Sequence, residues 1–190
     1  MPPEGLTPSE YFEAGLTLLA EKGPDGLTIA ALCAQLEVTK GSFYHHFRDL
    51  AAFVDGLLAH WAEQHATRLI ALSESMTDPA ERIDLLRAIA VGLPHGAEAA
   101  IRAWSWSNDR VAAVQREVDA SRLAHLTAAG IDTGLSDERA ELMATISMAT
   151  LIGMQQLERP PRPETMEAIF GAFENWILEP DGAPVNAARA

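Results

Sequence analysis

Apolar residues recur every three or four positions along most of the chain, and no stretch shows the strict alternation of a half-buried strand. This spacing places apolar side chains on one face of an α-helix. Clusters of Gly and Pro interrupt the pattern, and residues that favour helix starts follow them. The pattern predicts an all-α protein of about nine helices without an internal repeat.

The first predicted helix has a marked start and a marked end. Residues 7–10, Thr-Pro-Ser-Glu, form a capping box with Pro at the first helical position. Phe12, Leu16 and Leu19 follow at helical spacing, and residues 23–26, Gly-Pro-Asp-Gly, end the helix. We expect this helix to pack across the next two and to complete a small three-helix core.

Two short helical segments follow, separated by a tight turn at Glu37 and Val38. Thr28 is expected to cap the first segment and Thr39 the second, because a threonine hydroxyl can accept from a free N–H of the first turn. Phe43 and Phe47 are four residues apart and therefore face the same side of the second segment. Two short helices joined by a tight turn form a helix-turn-helix.

The other faces of the second segment carry groups that suit DNA. Its N-terminus offers free N–H groups and a partial positive charge to a phosphate. Lys40 can reach a phosphate or a guanine, while Gly41 and Ser42 are small enough for a close approach to the groove. Tyr44 and His45 are candidates for flanking phosphate contacts. A helical hairpin with a purely structural role is the alternative.

Residues 39–47, Thr-Lys-Gly-Ser-Phe-Tyr-His-His-Phe, follow Leu27-Thr28-Ile29 and an alanine-rich helix. This stretch resembles the DNA-binding signature of TetR-type transcriptional regulators, closely over about the first fifty residues. The resemblance implies a ligand-responsive repressor that binds a palindromic double-stranded DNA operator as a homodimer. The residues expected to contact DNA are Thr28, Thr39, Lys40, Gly41, Ser42, Tyr44, His45 and Arg48.

Charge and two departures from the family pattern keep a second hypothesis open. The net charge is −13, and residues 1–50 contain seven acidic residues against three Lys or Arg. Glu37 stands where the family usually has Gly, and Leu50 stands where it tends to have Lys. The alternative is an all-helical ligand-binding or protein-interaction module with little DNA affinity. The sequence contains neither a Gly-rich phosphate loop nor a nucleophile elbow and so does not support a helical hydrolase. We therefore expect that the protein is not an enzyme.

The chain divides into a predicted DNA-binding domain at 1–48, an effector-binding and dimerisation domain at 49–178, and a disordered tail at 179–190. The second domain begins with a long helix whose apolar stripe runs from Leu50 to Ile70. A pocket for an apolar effector is expected in this domain, because the resemblance implies one and Met and Trp suit irregular ligands. Its candidate residues are Leu86, Ile89, Trp104, Trp106, Met143, Met148 and Met154. Ordinary core packing of these residues is the alternative.

The last two predicted helices carry more apolar surface than a monomer needs. One has small residues every four positions, which permits close helix approach, and the other is rich in large apolar residues. A four-helix bundle across a two-fold axis would bury the excess, whereas packing within one chain is the alternative. The expected interface residues are Thr145, Ala149, Gly153, Ile169, Phe170, Phe173 and Trp176.

The cysteine content, the histidine spacing and the lengths of the apolar runs point to a cytoplasmic protein without a metal or cofactor. The single cysteine, Cys33, excludes an internal disulfide and is expected to pack in the core. His60 and His65 are five residues apart and His95 and His125 are isolated, which does not match a usual zinc ligand spacing. No basic and apolar leader begins the chain, and no apolar run approaches the ~20 residues of a membrane span.

Overall fold

The computed structural model describes residues 6–64, 71–73 and 75–178. Within these residues the chain forms nine α-helices with defined bounds, one short 3₁₀ helix and a further helical segment at 71–73, with no strand, so the all-α prediction is confirmed. The helices are α1 (Pro8–Lys22), the 3₁₀ helix (Pro24–Gly26), α2 (Ile29–Gln35), α3 (Lys40–His46), α4 (Leu50–Ala62), α5 (Pro79–Val91), α6 (His95–Ser105), α7 (Asp109–Asp132), α8 (Asp137–Leu157) and α9 (Pro163–Leu178).

Three predicted features fall outside the described residues: His65, the end of the α4 stripe at Leu69 and Ile70, and the tail at 179–190. None of the described helices is both long enough and apolar enough to cross a membrane.

Side-chain caps begin the helices as the sequence predicts. The Thr7 side chain accepts from the Glu10 N–H, and the Glu10 carboxylate accepts from the Thr7 N–H at 2.7 Å, which completes the capping box of α1. The side chains of Thr28, Thr39, Asp49, Asp78 and Ser136 accept from first-turn N–H groups and so cap α2, α3, α4, α5 and α8. These caps satisfy N–H groups that have no partner within the helix, and so they fix where each helix starts.

The main hydrophobic core crosses the predicted boundary after residue 48. It joins apolar residues of α1 to α4 with Ala97 and Ile101 of α6 and with Val111 and Val118 of α7. Two close approaches tighten it, because a Cβ atom added at Gly15 would lie 2.3 Å from Leu57 Cδ1, and one added at Gly96 would lie 2.9 Å from the Cβ of Ala20. Helices α1 and α4 therefore pack on α6 and α7, and the first three helices do not form an isolated core.

A buried polar network links α4, α6 and α7 inside this core. The Trp61 indole Nε1 donates to Glu98 Oε1 at 2.8 Å, and Arg122 donates to both Glu98 oxygens at 2.9 Å. Burial lowers the pKa of Arg122, but the hydrogen bonds to Glu98 together with the charges of Glu98 and Asp119 outweigh it, and the net shift is upward. A second bidentate pair, Arg102 with Asp119 at 2.8 Å, joins α6 to α7 again. These contacts set the position of α4 relative to the second domain.

Two smaller clusters form the far end of the molecule. One contains Leu93, Met148 and Phe170, and the other contains Ile83, Met143 and Ile177, among others. They are built by α5, α7, α8 and α9, with α8 packed mainly along α7.

Candidate nucleic-acid interface

Helix α3 buries its aromatic face and presents its polar face to solvent. Phe43 and Phe47 are buried, as the sequence predicts, whereas Lys40, Gly41 and His45 are exposed and the Tyr44 side chain is 55% exposed. Edge and tilted ring contacts join Phe43 to Tyr11 of α1 and to Phe53 of α4, with centroids 6.0 and 5.8 Å apart. This aromatic cluster holds α3 as a rigid outward-facing helix.

Ser42 and Tyr11 form a contact that sequence analysis missed. The Tyr11 hydroxyl donates to Ser42 Oγ at 2.8 Å, so the ring is buried while its polar end reaches α3. One lone pair of Ser42 is therefore used within the protein, although its hydroxyl hydrogen can still be donated to DNA. Tyr11 lies beside Phe12 in the α1 pattern, and only the crossing of α1 over α3 shows its role.

Gly41 has no packing reason to be a glycine. A Cβ atom added there would meet only Thr39 Oγ1, at 3.5 Å, which is an ordinary contact. Thr39 uses its oxygen to cap α3 by accepting from the Ser42 N–H at 3.4 Å. The absence of an internal clash fits the expectation that Gly41 leaves room for DNA next to the N-terminus of α3.

The turn before α3 carries backbone strain. Glu37 has φ of +55°, in the left-handed region that favours glycine. The turn is closed by the Val38 N–H, which donates to the Cys33 carbonyl at 2.9 Å. The strain costs on the order of 1 kcal/mol.

The positive charge at this surface is partly offset. Arg48 Nε donates to Asp49 Oδ2 at 2.8 Å, and Asp49 also caps α4 by accepting from the Ala52 N–H at 2.7 Å. The Ala52 hydrogen bond and then Arg48 lower the pKa of Asp49, so this carboxylate stays charged beside Arg48. Lys40 has no ion pair within the described residues. Leu50 packs half-buried against the core, so this position serves packing.

The predicted effector residues are only partly brought together. Leu86, Met143 and Met148 line a cavity of about 50 Å³ between α5, α7, α8 and α9. Ile89 and Met154 do not line it, Trp104 packs against the N-terminal core, and Trp106 is 89% exposed. The two tryptophans therefore lie away from this cavity, because α6 faces α1. Arg87, Ser147 and Glu174 also line the cavity and were not expected.

The predicted dimer face is mostly exposed in the single chain. Thr145 and Ala149 of α8 are exposed, and a Cβ atom added at Gly153 would meet nothing within 4 Å. On α9, Ile169 is exposed, Phe173 is half-buried, and Trp176 is 48% exposed. Phe170 differs from the prediction, since it is buried within the chain and lines the cavity.

Comparison with known proteins identifies the N-terminal helices. Residues 12–56, from α1 into α4, match the family described as bacterial regulatory proteins, tetR family. This segment resembles the N-terminal domain of TetR-family regulators. The chain is also 43% identical over 61 residues to the class A tetracycline repressor from transposon 1721 of Escherichia coli. That match covers 32% of this chain and 28% of the repressor, so the chain spans less than a third of the length of this curated relative.

The whole chain has a fold similar to that of solved structures of transcriptional regulators. A transcriptional regulator from Rhodococcus sp. Rha1 superposes with a TM-score of 0.76 at 20% identity, over 94% of this chain and 100% of that one. A regulator from Saccharomonospora viridis in complex with choline superposes with a TM-score of 0.70 at 16% identity, over 88% of this chain and 95% of that one. FadR from Bacillus subtilis in complex with stearoyl-CoA superposes with a TM-score of 0.66 at 16% identity, over 91% of this chain and 98% of that one. At these identities the likeness shows the fold alone.

Proposed function

We propose that the protein is a ligand-responsive TetR-type repressor that acts in the cytoplasm as a homodimer on a palindromic operator. The observation that carries the proposal is the geometry of α3 in a TetR-family domain. Phe43 and Phe47 fix one face of the helix in the core, and Lys40, Tyr44 and His45 stand on the exposed faces. A short helix with a solvent-exposed N-terminal turn that carries the cationic Lys40 suits the major groove.

Dimerisation would place two such helices on one duplex. The exposed small residues of α8, Thr145 and Ala149, and the exposed apolar residues of α9, Ile169 and Trp176, support an isologous interface. A two-fold dimer would read half-sites about 34–36 Å apart on one side of the DNA.

A small molecule with an apolar body would bind in the cavity beside α5, α8 and α9. Its binding would change the distance between the two recognition helices of the dimer. The complexes of the structural relatives with choline and with stearoyl-CoA support a small-molecule ligand. The ligand can shift the equilibrium only by its differential affinity for the two arrangements, and near-complete release needs about 5 kcal/mol.

The test is operator binding by Lys40→Ala and Tyr44→Ala, measured by gel shift against the DNA upstream of the protein's own gene. We expect each variant to lose at least about tenfold in affinity while remaining dimeric. Removing Lys40 should also lower the log–log salt slope by about 0.9 per half-site, because one phosphate contact is lost.

Lys22→Ala is the matched control, since Lys22 is also exposed but lies at the far end of α1. Equal losses in the Lys22 and Lys40 variants would show that total charge, and not the recognition helix, determines binding.

The Arg48–Asp49 pair and the acidic composition favour the second candidate, a ligand-binding module with little DNA affinity. Absence of saturable binding by the native protein would support that candidate.

A further inference from the structure

The cavity has a polar end that is strongly acidic. Its walls are apolar and include Leu86, Met143 and Met148, but Arg87 of α5 and Glu174 of α9 meet at one side. Arg87 pairs with three carboxylates: its Nη1 with Glu174, its Nη2 with Asp84, and its Nε with Glu167 at 3.2 Å. One guanidinium therefore faces three carboxylates, which leaves a local surplus of negative charge.

This arrangement disfavours an anionic ligand. Each of the three guanidinium nitrogens of Arg87 already faces a carboxylate, so a ligand carboxylate would have to displace one of them. It would also enter next to Asp84, Glu167 and Glu174, which would repel it.

Glu174 is the carboxylate that reaches the cavity. Its side chain is only 14% exposed, and its Oε2 atom takes the Arg87 contact. Within the described part of the chain its Oε1 atom has no hydrogen bond. Burial raises the pKa of Glu174 and the contact with Arg87 opposes that rise only in part, so the charge of the ionised carboxylate is only partly compensated. A cation entering the cavity would supply it.

We propose that the effector is an organic cation, with an ammonium group at Glu174 and an apolar body against Leu86, Met143 and Met148. This inference rests on the proposed ligand response and specifies the chemical class of the ligand. The cavity of about 50 Å³ is smaller than such a ligand, so binding requires Met143 and Met148 to change rotamer. Methionine side chains are unbranched and adapt readily to such a change.

The test uses three probes with the same eight-carbon chain and different head groups: octylammonium, octanol and octanoate. Isothermal titration calorimetry on the full chain should give octylammonium about tenfold tighter binding than octanol, with octanoate the weakest. This comparison uses the native protein and needs no variant. Octanoate binding as tightly as octylammonium would overturn the inference.

Glu174→Gln and Glu167→Gln form a matched pair of variants. Both remove one negative charge from the Arg87 cluster, but only Glu174 lines the cavity. We expect Glu174→Gln to lower octylammonium affinity about tenfold and to leave octanol binding unchanged, with little effect from Glu167→Gln. If both variants lower the octylammonium affinity equally, the affinity depends on the overall surface charge. That result would overturn the proposed contact between the ammonium group and Glu174.

Operator binding is measured separately on the same samples. Selective octylammonium binding without operator binding would overturn the proposed repressor and leave the ligand class supported. Operator binding without any preference for octylammonium would overturn the ligand class alone.

Discussion

Glu37 combines two unfavourable features in one residue of the turn that leads into α3. Its φ of +55° places a side chain where glycine is favoured, and its carboxylate lies two residues before Thr39, the N-cap of the helix expected to meet phosphates. The strain affects folding stability, whereas the charge affects DNA binding through repulsion. Substitutions at this position can separate these effects.

Glu37→Gly should raise the free energy of unfolding by up to about 1 kcal/mol, because it relieves the left-handed conformation. Glu37→Gln keeps the strain and removes the charge, so it should leave stability unchanged and raise operator affinity about twofold. Urea unfolding and gel shift measure the two quantities. A Gln variant as stable as the Gly variant would show that charge, and not backbone strain, destabilises this turn.

The sequence predicts the role of a residue best when the hydrogen-bond partner of that residue is near in the chain. Thr7, Thr28 and Thr39 cap helices through N–H groups three residues away, so their role is visible in a short window. Ser42 receives a hydrogen bond from Tyr11, 31 residues earlier. That contact depends on how two helices cross, which helical periodicity does not specify.

At the scale of helices, α1 and α4 both connect the N-terminal helices to the rest of the chain, and α4 does so through a buried polar contact. Its Trp61 is fully buried and donates to Glu98, which is held in turn by Arg122. Breaking one partner of a buried ion pair is costly, because the remaining charge stays desolvated. The indole hydrogen bond can be removed without breaking that pair.

Trp61→Phe should lower the free energy of unfolding by about 2 kcal/mol, since it removes a hydrogen bond to a buried carboxylate and leaves a small cavity. Operator affinity should fall several-fold as well, because α4 loses a contact that sets its position. Trp104→Phe is the control: it trims the same atoms from a half-buried tryptophan of α6 that packs on the same core. A Trp104 variant that loses as much operator affinity would refute a specific role for the Trp61 contact.

Trp104 of α6 and Trp106, which directly follows that helix, show what helical periodicity does not specify. Trp104 and Trp106 fit a helical apolar pattern, and they were assigned to the effector pocket together with Met143 and Met148. The pattern indicates that a helix has a buried face, but it does not indicate which helix covers that face. Here α6 packs against α1, with Gly96 touching Ala20, so its face belongs to the N-terminal core.

At the scale of the whole molecule, the exposed faces of α8 and α9 are the basis for the proposed dimer. Ala149→Arg would place a charged side chain in the centre of the small-residue surface of α8. We expect this variant to sediment as a monomer in analytical ultracentrifugation and to lose at least about tenfold in operator affinity, because both half-sites are then no longer bound together.

Ala128→Arg adds the same side chain to an exposed position of α7, outside the proposed interface. This control should remain dimeric and bind the operator as the native protein does. If the Ala149 variant stays dimeric, the interface lies elsewhere on the molecule.

The core shared by α1 to α4 and by α6 and α7 also bears on protein engineering. Ala97, Ile101, Val111 and Val118 complete the packing around the first four helices, so a fragment cut after residue 48 would leave apolar surface uncovered. Grafting the DNA specificity of this protein onto a different sensor would therefore require transplanting only the outward residues of α3 onto the host. Exchanging the entire N-terminal segment would separate it from the two helices on which it rests.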